Sequence, residues 1–72
     1  MRKTFKLQDL DCANCAAKIQ AAISKIDGVK FVSVNYITQK FTLEADDGIF
    51  DGVLAASVKA FSKIEPDCRV IL

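Results

Sequence analysis

Apolar side chains alternate with polar ones through Phe5 and Leu7, and recur at every third or fourth residue from Cys15 onward. The first spacing suits a half-buried strand and the second an amphipathic helix, so the chain must pass from strand to helix across a very short stretch. Thr4 to Leu10 sets Phe5 and Leu7 against Lys6 and Gln8. After the loop Asp11–Asn14, the residues Ala16, Ile19, Ala22, Ile23 and Ile26 share one helical face, with Lys18, Gln20, Ser24 and Lys25 off it. The alanines favour helix intrinsically, and Gly28 of Asp27-Gly28 suits a left-handed cap at its end.

Val29 to Tyr36 predicts a second strand, with Val32, Val34 and Tyr36 on one side and Phe31, Ser33 and Asn35 on the other. Ile37-Thr38-Gln39 must then turn the chain, although no glycine or proline marks it. Phe41, Leu43 and Ala45 alternate with Thr42 and Glu44 as a third strand. Asp46-Asp47-Gly48 offers an acidic N-cap to a second helix over Ile49–Phe61, with Val53, Leu54, Ser57, Val58 and Phe61 toward the core. Gly52 weakens that helix by about 1 kcal/mol relative to alanine. Pro66-Asp67 separates it from a short last strand, Cys68–Leu72.

Strand, helix, strand, strand, helix, strand, joined by right-handed crossovers, places the first and third strands side by side in the centre. Both helices then cover one face. The expected class is α+β, a βαββαβ sandwich of a four-stranded antiparallel sheet with two helices on one side and a wet opposite face.

A chain of 72 residues reads as one domain, residues 1–72. At this size only ~60% of the unfolded surface is buried. The 51% apolar content still provides a core and argues against disorder. Ten basic and nine acidic residues leave a net charge of +1 with no basic stripe, which argues against nucleic acid or an anionic membrane as partner. The basic start, Met1 to Lys6, runs into Leu7-Gln8-Asp9 instead of an apolar run, so no ordinary signal peptide is expected. No segment reaches the ~20 apolar residues of a membrane span. A cytoplasmic monomer is the default. There thiols stay reduced, so three cysteines indicate a metal or redox site before a disulfide staple, and the odd count agrees.

Two of those cysteines stand in Leu10-Asp11-Cys12-Ala13-Asn14-Cys15. This spacing puts Cys15 in the first helical turn and Cys12 in the loop above it, so both sulfurs can converge on one point. Free N–H groups and the positive end of the helix dipole favour thiolate, the form that binds metal. Small residues at Ala13 and Ala16 leave the site open. With no histidine in the chain, imidazole ligands are excluded. Two thiolates suit Cu(I), whereas Zn(II), Cd(II) or Pb(II) needs more donors. Asp11 is placed to give an oxygen, or else simply to cap the helix. Two sulfurs and one carboxylate leave a coordination position open, as transfer of an ion requires.

Leu10-Asp11-Cys12-Ala13-Asn14-Cys15-Ala16-Ala17-Lys18-Ile19, with Gly28-Val29 following the helix, resembles the heavy-metal-associated domain. That family comprises small metallochaperones and the N-terminal cytoplasmic domains of metal-exporting P-type ATPases. The resemblance spans nearly the whole chain. It implies the ferredoxin-like form of the βαββαβ sandwich, with metal bound at Cys12 and Cys15. Copper members usually read Met-Thr-Cys where this chain has Leu10-Asp11-Cys12. The Asp-Cys-x-x-Cys form is similar to that of the zinc/cadmium/lead-transporting ATPases, in which the aspartate can join the coordination. Ala60-Phe61-Ser62-Lys63-Ile64-Glu65-Pro66 is likewise similar to the cadmium-exporter versions. Zn(II), Cd(II) or Pb(II) is therefore favoured over Cu(I), and a partner in the cytoplasmic or transporter domains of a metal ATPase is implied.

Other readings stand beside this one. Cys68 is expected to be a buried structural thiol and not a third sulfur ligand. Phe61 reads as core, Lys63 as solvated, and Asp46-Asp47 as a cap and not a calcium loop, which needs more oxygens at closer spacing. The module could be a freestanding metallochaperone, for copper included, instead of a transporter domain. It could also be a dithiol redox protein using Cys12 and Cys15. Against redox chemistry stand the short chain, an only proline (Pro66) far from any strand start that would face the dithiol, and Asp11, which would raise the thiol pKa. An interaction domain on the same common fold is the third possibility, since fold alone does not fix function. No enzyme activity is expected, because no nucleophile–base pair is available.

Overall fold

The computed structural model describes all residues, Met1–Leu72. The elements run β1 (Arg2–Gln8), α1 (Ala13–Ser24), β2 (Val29–Asn35), β3 (Lys40–Ala45), α2 (Phe50–Ile64) and β4 (Arg69–Ile71). The strands form one sheet in the order β2-β3-β1-β4, antiparallel at every pairing. The two central strands are thus the first and third. Both helices lie on one face, which is the ferredoxin-like βαββαβ sandwich.

Period-2 patterning decides which face of the sheet is covered. Leu7, Phe41, Leu43 and Ala45 point toward the helices and are buried. They meet Ala16, Ile19 and Ile23 of α1 and Phe50, Val53 and Phe61 of α2. Phe41 sits at the centre, 5.8 Å from the Phe5 ring and 5.0 Å from the edge-on ring of Phe61. Each such fully buried apolar side chain stabilises the fold by roughly 1.5–3 kcal/mol. Ser57 is the one buried polar residue, and its hydroxyl donates to the Val53 carbonyl at 2.8 Å.

The opposite face is polar. Thr4 and Thr42 hydroxyls meet across β1 and β3 at 3.0 Å, and Arg2 pairs with Glu44 at 3.2 Å. A bulge between Val29 and Phe31 shifts the register of β2. The Arg2 guanidinium lies 4.5 Å from the centroid of the Phe31 ring, which stays partly in water.

Several boundaries differ from the sequence expectation. α1 begins at Ala13, not Cys15, because Cys12 itself serves as the N-cap. α2 continues to Ile64, past Phe61. Its N-cap is Ile49, which makes no side-chain cap bond, so the acidic cap expected from Asp46-Asp47 is not formed. Lys30 draws Asp46 away instead, at 2.6 Å, while Asp51 places a negative charge in the first turn. Cys68 precedes β4 and does not belong to it. No helix is long and apolar enough to cross a membrane.

Candidate metal centre

The cysteine loop joins the end of β1 to α1. Asp9 turns the chain through a left-handed conformation, φ 65°, as aspartate tolerates better than most residues. Leu10 then drives its side chain fully into the core, at 0% exposure. Asp11 emerges into solvent, and Cys12 follows in extended conformation, φ −123° and ψ 117°. The Cys12 carbonyl accepts from Ala16 N–H at 3.0 Å and opens the helix. Its sulfur accepts from the backbone N–H of Cys15 at 3.2 Å. A cysteine thus does here what serine or aspartate does at most helix starts.

This capping geometry sets the acidity of the pair. Cys12 is lowered from its ordinary value, first by the hydrogen bond from the Cys15 side chain, then by the N–H groups of Cys15 and Asn14. Cys15 is pushed up to about 12, because its thiol donates to Cys12 and is also held by the nearby Glu65 carboxylate. The first proton therefore leaves Cys12. No carboxylate lies in the first turn of α1 to compete with the thiolate.

Both thiols are free and half-exposed, so the structure brings Cys12 and Cys15 together where an ion can reach them. Asp11 is exposed beside them, and no three or more Cys, Asp or Glu side chains are already grouped to ligate one ion. Cys68 is 4% exposed and part of the core, with its thiol pushed up by burial and by the charges of Glu65 and Asp9. Phe61 is buried against Phe41, and Lys63 is exposed in the last turn of α2.

Two residues that sequence reasoning passed over belong to this region. Glu65 ends α2, where its N–H still donates to the Phe61 carbonyl at 2.8 Å, and it brings a carboxylate to Cys15. Gln39, from the turn between β2 and β3, accepts from Leu10 N–H at 3.1 Å through its side-chain oxygen and donates to the Leu10 carbonyl through its side-chain nitrogen. No local sequence signal announces either contact, since both join residues far apart in the chain.

A family model for the heavy-metal-associated domain matches residues 4–64. The chain belongs to this family. As a heavy-metal-associated domain it is a metal-binding module, related both to ATPase N-terminal domains and to free chaperones. It is 37% identical over 59 residues to the zinc/cadmium/lead-transporting P-type ATPase of Escherichia coli (strain K12), covering 82% of this chain but only 8% of that protein. It is 32% identical over 47 residues to the copper chaperone CopZ of Enterococcus hirae, covering 65% of this chain and 68% of CopZ. Among solved structures it is similar to the N-terminal domain of ZntA in the apo form, with TM-score 0.67 and 31% identity over 99% of this chain and 92% of that one. A CopZ metallochaperone structure at TM-score 0.73 and 18% identity, covering 99% and 100% of the two chains, shares the fold.

Proposed function

We propose that residues 1–72 form a single cytoplasmic domain that binds a divalent thiophilic ion, Zn(II), Cd(II) or Pb(II), through Cys12 and Cys15. The domain would then deliver the ion to a metal-exporting P-type ATPase or regulate that pump. The observation that carries this reading is the half-exposed dithiol at the start of α1, with one sulfur already held toward its thiolate form. Accessible sulfurs permit transfer by stepwise exchange with a partner's cysteines, since an incoming ligand can attach before an outgoing one leaves.

Charge supports a dication over Cu(I). Two thiolates neutralise a divalent ion, and Asp11 and Glu65 surround the pair with further negative charge. Asp11 is proposed as the oxygen donor, reaching the ion by rotation of an exposed side chain. The likeness to the ZntA domain and to the zinc/cadmium/lead ATPase agrees with this choice. A second reading, a freestanding chaperone that could carry copper, is favoured by the match to CopZ over two thirds of its length.

Metal competition on the reduced protein tests both. Cys12→Ser with Cys15→Ser should abolish uptake of every thiophilic ion while the circular dichroism stays unchanged. Asp11→Asn should weaken Zn(II) and Cd(II) strongly and leave Cu(I) almost untouched. Equal loss for all three ions would reduce Asp11 to shaping the loop, and wild-type preference for Cu(I) would favour the second reading.

A further inference from the structure

We propose that Gln39 is the positioning residue of the cysteine loop: its side-chain amide clamps the backbone of Leu10 and so fixes where Cys12 stands. The inference rests on the metal-binding reading above, and it concerns how the chelate is held.

β1 ends at Gln8, and its ladder with β3 ends where Lys6 faces Lys40. Leu7 N–H still finds the Gln39 carbonyl at 2.7 Å. On its other side β1 stays paired with β4 as far as Gln8, which faces Arg69; past Gln8 the chain leaves the sheet, and Leu10 has no strand partner, although its side chain is fully buried. Unpaired backbone groups beside a core are costly. Gln39 supplies both missing partners, an oxygen at 3.1 Å for the Leu10 N–H and an N–H for the Leu10 carbonyl. The side chain thus imitates one rung of a β-ladder. The same nitrogen also donates to the Tyr36 carbonyl, which ties the clamp to its own turn.

The backbone of Gln39 is the second observation. Its φ is +57°, in the left-handed region where glycine is the easiest occupant. A glutamine held there accepts backbone strain in order to present an amide. The helix fixes Cys15 and holds Cys12 only at its first turn, through the Cys12 carbonyl and sulfur, so the path by which the chain enters Cys12 is set by the loop. Leu10, pinned by its side chain below and by Gln39 at its main chain, is the nearest firm anchor on that side. With the clamp removed, Cys12 should drift from its capping position and the two sulfurs should lose their common focus.

Gln39→Gly separates this role from folding, because glycine relieves the positive φ while removing the amide. Gln39→Asn keeps the amide and tolerates the same φ, but is one methylene too short to reach Leu10. In the reduced, metal-free protein, amide hydrogen exchange by NMR should show Leu10 protected in the wild type and unprotected in both variants. Backbone order at Asp11 and Cys12 should fall, with far-ultraviolet circular dichroism unchanged. Cd(II) affinity, followed through thiolate-to-cadmium absorption, should weaken about tenfold or more, the lower end of the loss seen for residues that orient metal ligands. Unchanged order at Cys12, or Cd(II) bound as tightly by both variants as by the wild type, overturns the proposal. Failure of the wild type itself to bind Cd(II) would instead overturn the metal-binding reading, with the exchange data still judging the clamp.

Discussion

The backbone N–H of Cys15 points at the sulfur of Cys12, 3.2 Å away. One cysteine therefore caps the helix that carries the other, and the two cannot be equally acidic. With alkylating agent in limited amount near neutral pH, Cys12 should be modified first in the reduced, metal-free protein. Peptide mapping by mass spectrometry reads the order. Faster labelling of Cys15 would contradict the capping geometry.

Metal uptake should release protons, and the sign follows from Cys15. Its thiol, pushed up to about 12, is protonated at every physiological pH and must lose that proton to coordinate. Apparent affinity for Cd(II) should therefore rise with pH and fall about tenfold per unit of acidification for each proton displaced. Titration between pH 6 and 8 in weak buffer with a pH indicator measures it, and a flat profile would speak against coordination by Cys15.

Glu65→Gln should bring Cys15 back toward its ordinary value, since the carboxylate both accepts from the thiol and repels the thiolate. Alkylation of Cys15 at mildly alkaline pH should become faster, measured against an added small-molecule thiol as reference. An unchanged rate would show that Cys12 alone sets the acidity of its partner.

Phe41→Ala should be the most damaging of these substitutions, because Phe41 stacks on Phe5 and meets Phe61 edge-on. Loss of a buried phenylalanine costs about 3–5 kcal/mol. A 72-residue domain has roughly 4–11 kcal/mol in total at the usual per-residue stability. Urea unfolding should place this variant near or below its stability limit, whereas the double cysteine-to-serine variant should unfold close to wild type.

Gly28→Ala tests the joint between α1 and β2. Gly28 holds φ +96°, and an added Cβ would press on the end of the Ile49 side chain, which must turn aside. The backbone strain costs about 1–3 kcal/mol, with the clash in addition. Lys30→Ala, which breaks the exposed, water-screened pair with Asp46, should leave stability almost unchanged. A larger loss at Lys30 than at Gly28 would reverse this ranking.

The layout of the fold was legible because β1 and β3 alternate cleanly and each helix carries one apolar stripe. Phe41, Leu43 and Ala45 against Thr42 and Glu44, or Ile19 and Ile23 on α1, needed no tertiary information. The turn at Ile37–Gln39 was weakly marked because its signal is a side-chain bond: Asn35 Oδ1 accepts from Ile37 N–H at 2.9 Å and from Thr38 N–H at 3.1 Å. The expected acidic cap failed for a reason outside its own helix, since Lys30 on the neighbouring strand β2 pairs with Asp46 just past the end of β3.

The site divides in the same way. Cys12 and Cys15 declare themselves by spacing, and the structure brings them together. Glu65 and Gln39 are brought in by the sandwich closing on itself, so only coordinates reveal them. Cys68 was correctly placed indoors because an isolated cysteine behaves as a small apolar group.

That placement governs how the molecule weathers oxidation. With its third thiol sealed at 4% exposure, the folded chain offers thiol oxidants just the loop pair. Cysteine oxidation is thereby steered to Cys12 and Cys15, and scrambled partners or sulfur-bridged dimers through Cys68 are shut out unless the protein first unfolds.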